Sequence, residues 1–271
     1  MGVLRPGNDL VWKRLHPKLL FRRPSVNKRI ESAFFDAFGC KYGEYDVLGS
    51  LAYRRLLTEF ANRVRPKRNE RCVDLGCGTG AFTRRLSAFD LSLTGVDISP
   101  ECISLASQQR SRETYEVGDL MNLNFEDATA DIVVYSGVLH HIAKSSERVC
   151  ALREGRRILK PGGRLFAYDP NEASPSMWLY RSPRSPLFSS LGKTENEVLL
   201  SRKALLSELE QAGFIDITVQ GLSGITFRFV ESKLARAMLP VYNLYELLMM
   251  LSPFQRTLGT FLISCAFKPG S

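Results

Sequence analysis

The chain reads as an α/β protein, a largely parallel sheet wrapped by helices on both faces. Three observations carry that expectation. From Arg71 onward, short apolar runs alternate with amphipathic stretches, the pattern of strands that feed crossover helices. The first apolar run passes without a break into Gly76-Cys77-Gly78-Thr79-Gly80, a glycine turn of the kind that joins a strand to a helix. Further on, Lys160-Pro161-Gly162-Gly163 halts a helix and turns the chain back toward the sheet. With 271 residues, 44% of them hydrophobic, the chain suffices for one such domain with additions and is too short for two complete ones.

Residues 1–65 read as a basic arm followed by a helical cap. In the arm, apolar residues such as Trp12, Leu15 and Phe21 are interleaved with Lys13, Arg14, Arg22 and Arg23, and Pro17 and Pro24 prevent a long amphipathic helix. A solvated arm with a few packed side chains is expected, with membrane contact as the alternative. No long apolar run opens the chain, so no secretory signal is expected and a cytoplasmic protein is, with peripheral membrane contact again the alternative. Helices are predicted over 28–38 and 45–64, and residues 65–69 break the pattern.

Residues 66–271 then form the main domain. Strands are predicted at 71–75, 92–96, 114–117, 131–136 and 163–169, with helices starting near Gly80, Pro100 and Ser145. The Pro- and Ser-rich stretch 170–200 is longer than ordinary connections and is expected to serve the substrate side. A helix over 201–212 stops at Gly213, and strands follow at 214–219 and 258–267. Between these strands, 231–252 is rich in Leu, Met and Tyr but holds Pro240 and Glu246 and is too short to span a membrane. It predicts an inserted helix, buried on the sheet or roofing a pocket.

The glycine turn carries the most chemical information. Its bare backbone and the amides of the following helix start can face a nucleotide-like ligand. Gly76, Gly78 and Ala81 also fit the spacing of a dinucleotide site, so spacing leaves both readings open. Charge discriminates: Asp74 beside the turn would repel a pyrophosphate, yet suits the ammonium and sulfonium charges of S-adenosylmethionine.

Four segments in order, Val73-Asp74-Leu75-Gly76-Cys77-Gly78-Thr79-Gly80, Gly95-Val96-Asp97-Ile98-Ser99, Gly118-Asp119-Leu120 and Leu159-Lys160-Pro161-Gly162-Gly163, resemble the motifs of class I S-adenosylmethionine-dependent methyltransferases. The resemblance spans about residues 45–267 and is nearest the branch acting on quinones, lipids and other small molecules. It implies a Rossmann-like sheet of seven strands in the order 3-2-1-4-5-7-6, the last antiparallel, so that 66–271 is a methyltransferase domain. It also implies cofactor contacts at Asp74, Gly76, Cys77, Gly78 and Gly80. Asp97 would take the ribose hydroxyls, with Ile98 against the adenine. Asp119 would accept the adenine amino group beside the Leu120 backbone, and Ser136 and Gly137 would underlie the methionine half. The product would be S-adenosylhomocysteine.

Methyl transfer needs an aligned, electron-rich acceptor, dry surroundings and, for a hydroxyl or acidic carbon, a base. His140 and His141, two of only three histidines, directly follow the fourth strand and are the candidates. Tyr168, Asp169 and Asn171 leave the fifth strand at the same edge and are expected to touch substrate. Tyr135-Ser136-Gly137-Val138 stands where amino-group methyltransferases of DNA or glutamine carry Asn/Asp-Pro-Pro-Tyr. No metal is expected, because no acidic cluster appears and the six cysteines lack zinc-site spacing. A small-molecule or lipid-like acceptor methylated on oxygen, or alternatively carbon, follows. The charge of +9 keeps an RNA methyltransferase as an alternative, disfavoured by the scatter of the basic residues, and an NAD-dependent oxidoreductase is the other.

Overall fold

The computed structural model describes residues 26–42, 46–109, 112–182, 184–185, 187–188, 194, 196–228, 230 and 233–270. The basic arm lies outside the described residues, as does part of the 170–200 connection. Two helices, α1 (Val26–Tyr42) and α2 (Ser50–Val64), precede the sheet. There follow β1 (Arg71–Leu75), α3 (Ala81–Leu86), β2 (Ser92–Asp97), α4 (Pro100–Gln108), β3 (Thr114–Val117), β4 (Ala130–Ser136), α5 (Ser145–Ile158) and β5 (Leu159–Pro170). The chain ends with α6 (Pro175–Arg181), α7 (Arg202–Gln211), β6 (Ile215–Leu222), α8 (Lys233–Met250), α9 (Gln255–Leu258) and β7 (Phe261–Phe267).

The seven strands lie in the order 3-2-1-4-5-7-6, as the resemblance implies. Strands β1 to β5 run parallel, and β7 is antiparallel to both β5 and β6. Side chains alternate across each strand and both faces are covered, so the central strands read as unbroken apolar runs. Val73, Leu75, Val133, Tyr135 and Leu165 pack beneath α5 and α7. Cys72, Ile132, Val134 and Phe166 pack on the other face, against Leu56 and Phe60 of α2 and Phe82 of α3. Each such side chain, withdrawn from water, contributes roughly 1.5–3 kcal/mol.

Several element ends differ from those predicted, each because a tertiary partner overrides local pattern. Strand β5 begins at Leu159, before the Pro-Gly-Gly stop, because Lys268 donates to the Gly163 carbonyl at 2.9 Å and Gly162 to the Lys268 carbonyl at 3.1 Å. Helix α2 begins at Ser50 because Leu48 is paired with Phe227 and the Gly49 amide donates to Thr226 O at 2.7 Å. The final strand starts at Phe261, since Gln255–Leu258 forms a helical turn packed so tightly on β6 that a Cβ at Gly221 would lie 2.6 Å from the Gln255 carbonyl.

The inserted helix is present as α8, with Pro240 inside it. Glu246, fully buried, pins it to the sheet. Its carboxylate accepts from the Gly224 and Ile225 amides at 2.9 and 3.0 Å and from the Thr260 hydroxyl. Burial pushes its pKa up, while those donors pull it back. Removing the carboxylate would strand two buried amides, so Glu246→Ala should lower unfolding stability by about 3 kcal/mol. Urea denaturation measures this, and a loss below about 0.5 kcal/mol would contradict the role.

Candidate active site

The glycine turn hooks over the end of β2: the amides of Gly76 and Cys77 both donate to Val96 O, at 2.7 and 3.1 Å. Gly76 has φ +74, and a Cβ there would overlap the Val138 side chain in the loop after β4. Gly78, at φ +53, instead faces open space, with nothing within 4 Å of an added Cβ. Its amide donates to Asp97 Oδ2 at 2.9 Å, and Asp97 Oδ1 accepts from Ser99 N at 2.9 Å. Burial raises the Asp97 pKa, partly offset by those two amides. Bare backbone beside a carboxylate with lone pairs to spare suits a ligand with vicinal hydroxyls and positive charge.

A cavity of about 210 Å³ lies against this turn. Its wall includes the predicted residues Gly76, Cys77, Gly78, Asp97, Ile98, Ser136, Gly137, His140, His141 and Tyr168. Asp74, Gly80, Asp119, Leu120, Asp169 and Asn171 are not in that wall. Asp74 shares the face of β1 that carries Cys72 and lies fully buried under the turn, accepting from Thr83 Oγ1 at 2.6 Å and from Ser136 Oγ. Burial pushes its pKa up to about 7, with the neighbouring Asp97 adding to the shift and the two hydroxyls opposing it. Any action of Asp74 on a ligand therefore passes through Ser136 and through its field. Gly80 closes the turn and leads into α3. Leu120 is in the core. Asp119 is paired with Lys28 of α1 at 2.6 Å and accepts from Met121 N at 3.0 Å.

Beyond the turn, the chain after β4 makes a helical turn at Leu139–His141. Asp169 at the end of β5 holds it from below, since its Oδ1 lies 3.1 Å from His140 N and 2.9 Å from His140 Nδ1. Burial drives the His140 pKa well below the ordinary imidazole value, reinforced by His141, so the ring is neutral. Asp169 is pushed up to about 8 by burial despite the His140 amide. Its place is beneath His140, not against a substrate. Asn171 is likewise spent on structure: its amide group donates to the Thr257 and Gly259 carbonyls at 3.0 and 2.7 Å, tying β5 to α9. Tyr168 does reach the cavity, stacked on Phe261 with ring centroids 5.8 Å apart.

Other side chains complete this end. Glu31 of α1 places Oε1 2.9 Å from His141 Nδ1, and Phe35 meets the same ring edge-on at 5.2 Å. Burial raises the Glu31 pKa, but His141, Asn196 and Thr194 outweigh it and leave the carboxyl below its usual range. From the 170–200 connection come Arg181 in the wall and Glu197, whose Oε1 lies 3.4 Å from Arg181 Nε. None of these was predicted. Each reaches the site from a segment remote in sequence, and no local motif marks it.

Residues 73–167 match the model of a methyltransferase domain family. The malonyl-[acyl-carrier protein] O-methyltransferase of Erwinia pyrifoliae is 30% identical over 208 residues, 76% of this chain and 73% of that protein. The chain belongs to the class I S-adenosylmethionine-dependent methyltransferases. Its cofactor is S-adenosylmethionine. The methyltransferase is also 31% identical to the O-methyltransferase cnsE of Penicillium expansum over 174 residues, a match that spans 60% of this chain and 59% of that relative. In fold it is similar to a phosphoethanolamine N-methyltransferase of Haemonchus contortus solved with S-adenosylhomocysteine, with a TM-score of 0.60 and 18% identity, over 92% of this chain and 61% of that one.

If Asp97 holds the ribose, Asp97→Ala should weaken S-adenosylhomocysteine binding by about 1–3 kcal/mol, roughly 5- to 150-fold in Kd. Calorimetric titration measures it, and an unchanged Kd would remove Asp97 from the cofactor site.

Proposed function

We propose that the methyltransferase O-methylates an apolar, lipid-like small molecule held between its helical cap and the carboxyl edge of its sheet. The observation that carries this is a single cavity whose wall holds Gly76, Gly78 and Asp97 together with His140 and His141. Phe35, Leu48, Phe82, Met177, Phe227 and Phe261 are among the other wall residues, a lining that favours an apolar acceptor. Both the Erwinia and the Penicillium relatives are O-methyltransferases by name, which supports oxygen over carbon.

In this reading the turn 76–80 and Asp97 hold the cofactor, with Ile98 against the adenine and Ser136 and Gly137 under the methionine end. When bound, S-adenosylmethionine supplies an electrophilic methyl group on a sulfonium sulfur. The chain's own work is alignment, exclusion of water and removal of the acceptor proton. His140 is neutral and its Nδ1 is held by Asp169, so Nε2 is the nitrogen left to take that proton. His141 faces the same cavity and is oriented by Glu31. Residues 1–65 act as the cap through α1 and α2, and residues 66–271 form the catalytic domain.

The outer surface favours an acceptor drawn from a membrane. Helix α8 turns Leu234, Met238, Val241, Leu244 and Leu248 outward, each at least 36% exposed, and beyond Arg236 its only charge is the buried Glu246. Its inner face reaches the cavity wall through Tyr242, whose ring lies 5.5 Å from that of Phe227. Such an amphipathic element, on a chain of charge +9, suits an anionic bilayer surface. Among the described residues no helix is long and apolar enough to cross a membrane.

Incubating the enzyme and methyl-labelled cofactor with a cell extract should place the label in an organic-extractable product, as a methyl ether or ester. His140→Ala should cut that rate about a hundred- to ten-thousandfold while leaving S-adenosylhomocysteine affinity within about twofold of the wild type. Label appearing only in RNA or protein would refute the proposal.

A further inference from the structure

We propose that His140, His141 and Glu197 form a binding site for a first-row divalent transition metal of the zinc class, at the acceptor end of the cavity. A ring nitrogen from each histidine and a carboxylate oxygen of Glu197 lie within 4.8 Å of one another. A tetrahedral ion about 2.1 Å from each donor needs donors roughly 3.4 Å apart, so the pair farthest apart must draw in by at most about 1.4 Å.

Two independent features point to a cation rather than to chance proximity. First, each ring has a carboxyl oxygen beside its Nδ1: Asp169 lies 2.9 Å from His140 Nδ1, and Glu31 lies 2.9 Å from His141 Nδ1. That arrangement fixes the tautomer and orientation of a metal-binding imidazole and leaves Nε2 as the ligand. Second, the Glu197 side chain is only 2% exposed, and its Oε2 has no hydrogen-bond partner. A buried carboxylate oxygen left unpaired is costly, and a metal ion would satisfy it.

The surrounding charge agrees. Arg181, 3.4 Å from Glu197 Oε1, is the cation adjoining the cluster, and Thr194 stands 3.4 Å from His141 Nδ1 as a neutral neighbour. Against that guanidinium stand the carboxyl groups of Glu31 and Glu197, so the site favours an added positive charge. Two imidazoles and one carboxylate leave a fourth position open, as in metal sites that engage a substrate oxygen. That use, gripping the acceptor's oxygen beside the methyl donor, rests on the function proposed above and replaces His140 Nε2 as base, since a metal-held oxygen loses its proton more readily; the existence of the site does not rest on it. Sequence spacing concealed it, because Glu197 belongs to the 170–200 connection while the histidines follow β4.

Chelator-treated, full-length enzyme titrated with Co2+ tests the site directly. The proposal predicts one equivalent bound per chain, with visible d–d absorption of a low-coordinate ion that Zn2+ abolishes by displacement. Glu197→Gln and His141→Gln should each weaken Co2+ binding at least tenfold while S-adenosylhomocysteine still binds, which shows that the variants are folded. No stoichiometric binding, or binding that neither substitution alters, overturns the metal site. Undiminished methyl transfer by the metal-free enzyme would leave the histidine base standing and overturn the metal's grip on the acceptor oxygen.

Discussion

The close approach of Gly76 to Val138 is the contact on which the rest of the site depends. Strand β1 lies between β2 and β4, so the chains leaving β1 and β4 diverge to opposite faces and open a crevice at the carboxyl edge. The turn after β1 can sit against the loop after β4 only because residue 76 has no side chain and accepts a positive φ. Val138 is followed one residue later by the helical turn that carries His140 and His141. One missing methyl group thus sets the distance between the glycine turn and the histidine pair.

Buried carboxylates shape the field around that crevice. Asp74 lies beneath the turn, Asp97 beside it and Asp169 under His140, and burial raises all three pKa values. Each is retained where a neutral residue would be easier to bury, and each is held by donors of the chain: Thr83 and Ser136, Gly78 and Ser99, and the amide of His140. Of the three only Asp97 lies in the cavity wall, where a carboxyl group with oxygens to spare suits a cofactor that carries vicinal hydroxyls and positive charge.

The strands were readable because central parallel strands are apolar on both faces, and because Gly76–Gly80, Ser99 and the Pro161-Gly162-Gly163 turn mark where they end. Boundaries moved where distant segments pair, as Gly49 does with Thr226 and Gly163 with Lys268, or pack, as α9 does on β6. Site residues attached to strand ends, such as Asp97, Ser136 and the histidines, could be placed from sequence for the same reason. What sequence could not say was which way a carboxylate at that edge points. Asp74 and Asp169 turn under the site, Asp119 pairs outward with Lys28, and Asn171 braces α9. Glu31, Arg181 and Glu197 were unreadable altogether, since they arrive from the cap and from the 170–200 connection, where tertiary contact alone gives them a role.

The glycine turn and the histidine pair line one and the same cavity, and the proposed chemistry requires the cofactor to run from the first toward the second. A crystal structure of the enzyme with S-adenosylhomocysteine tests this most directly. The account predicts ribose hydroxyls on Asp97, the homocysteine end over Gly76 and Gly78, and the sulfur directed across the cavity toward His140 and His141. A sulfur directed away from the histidines, or a ribose remote from Asp97, would contradict it.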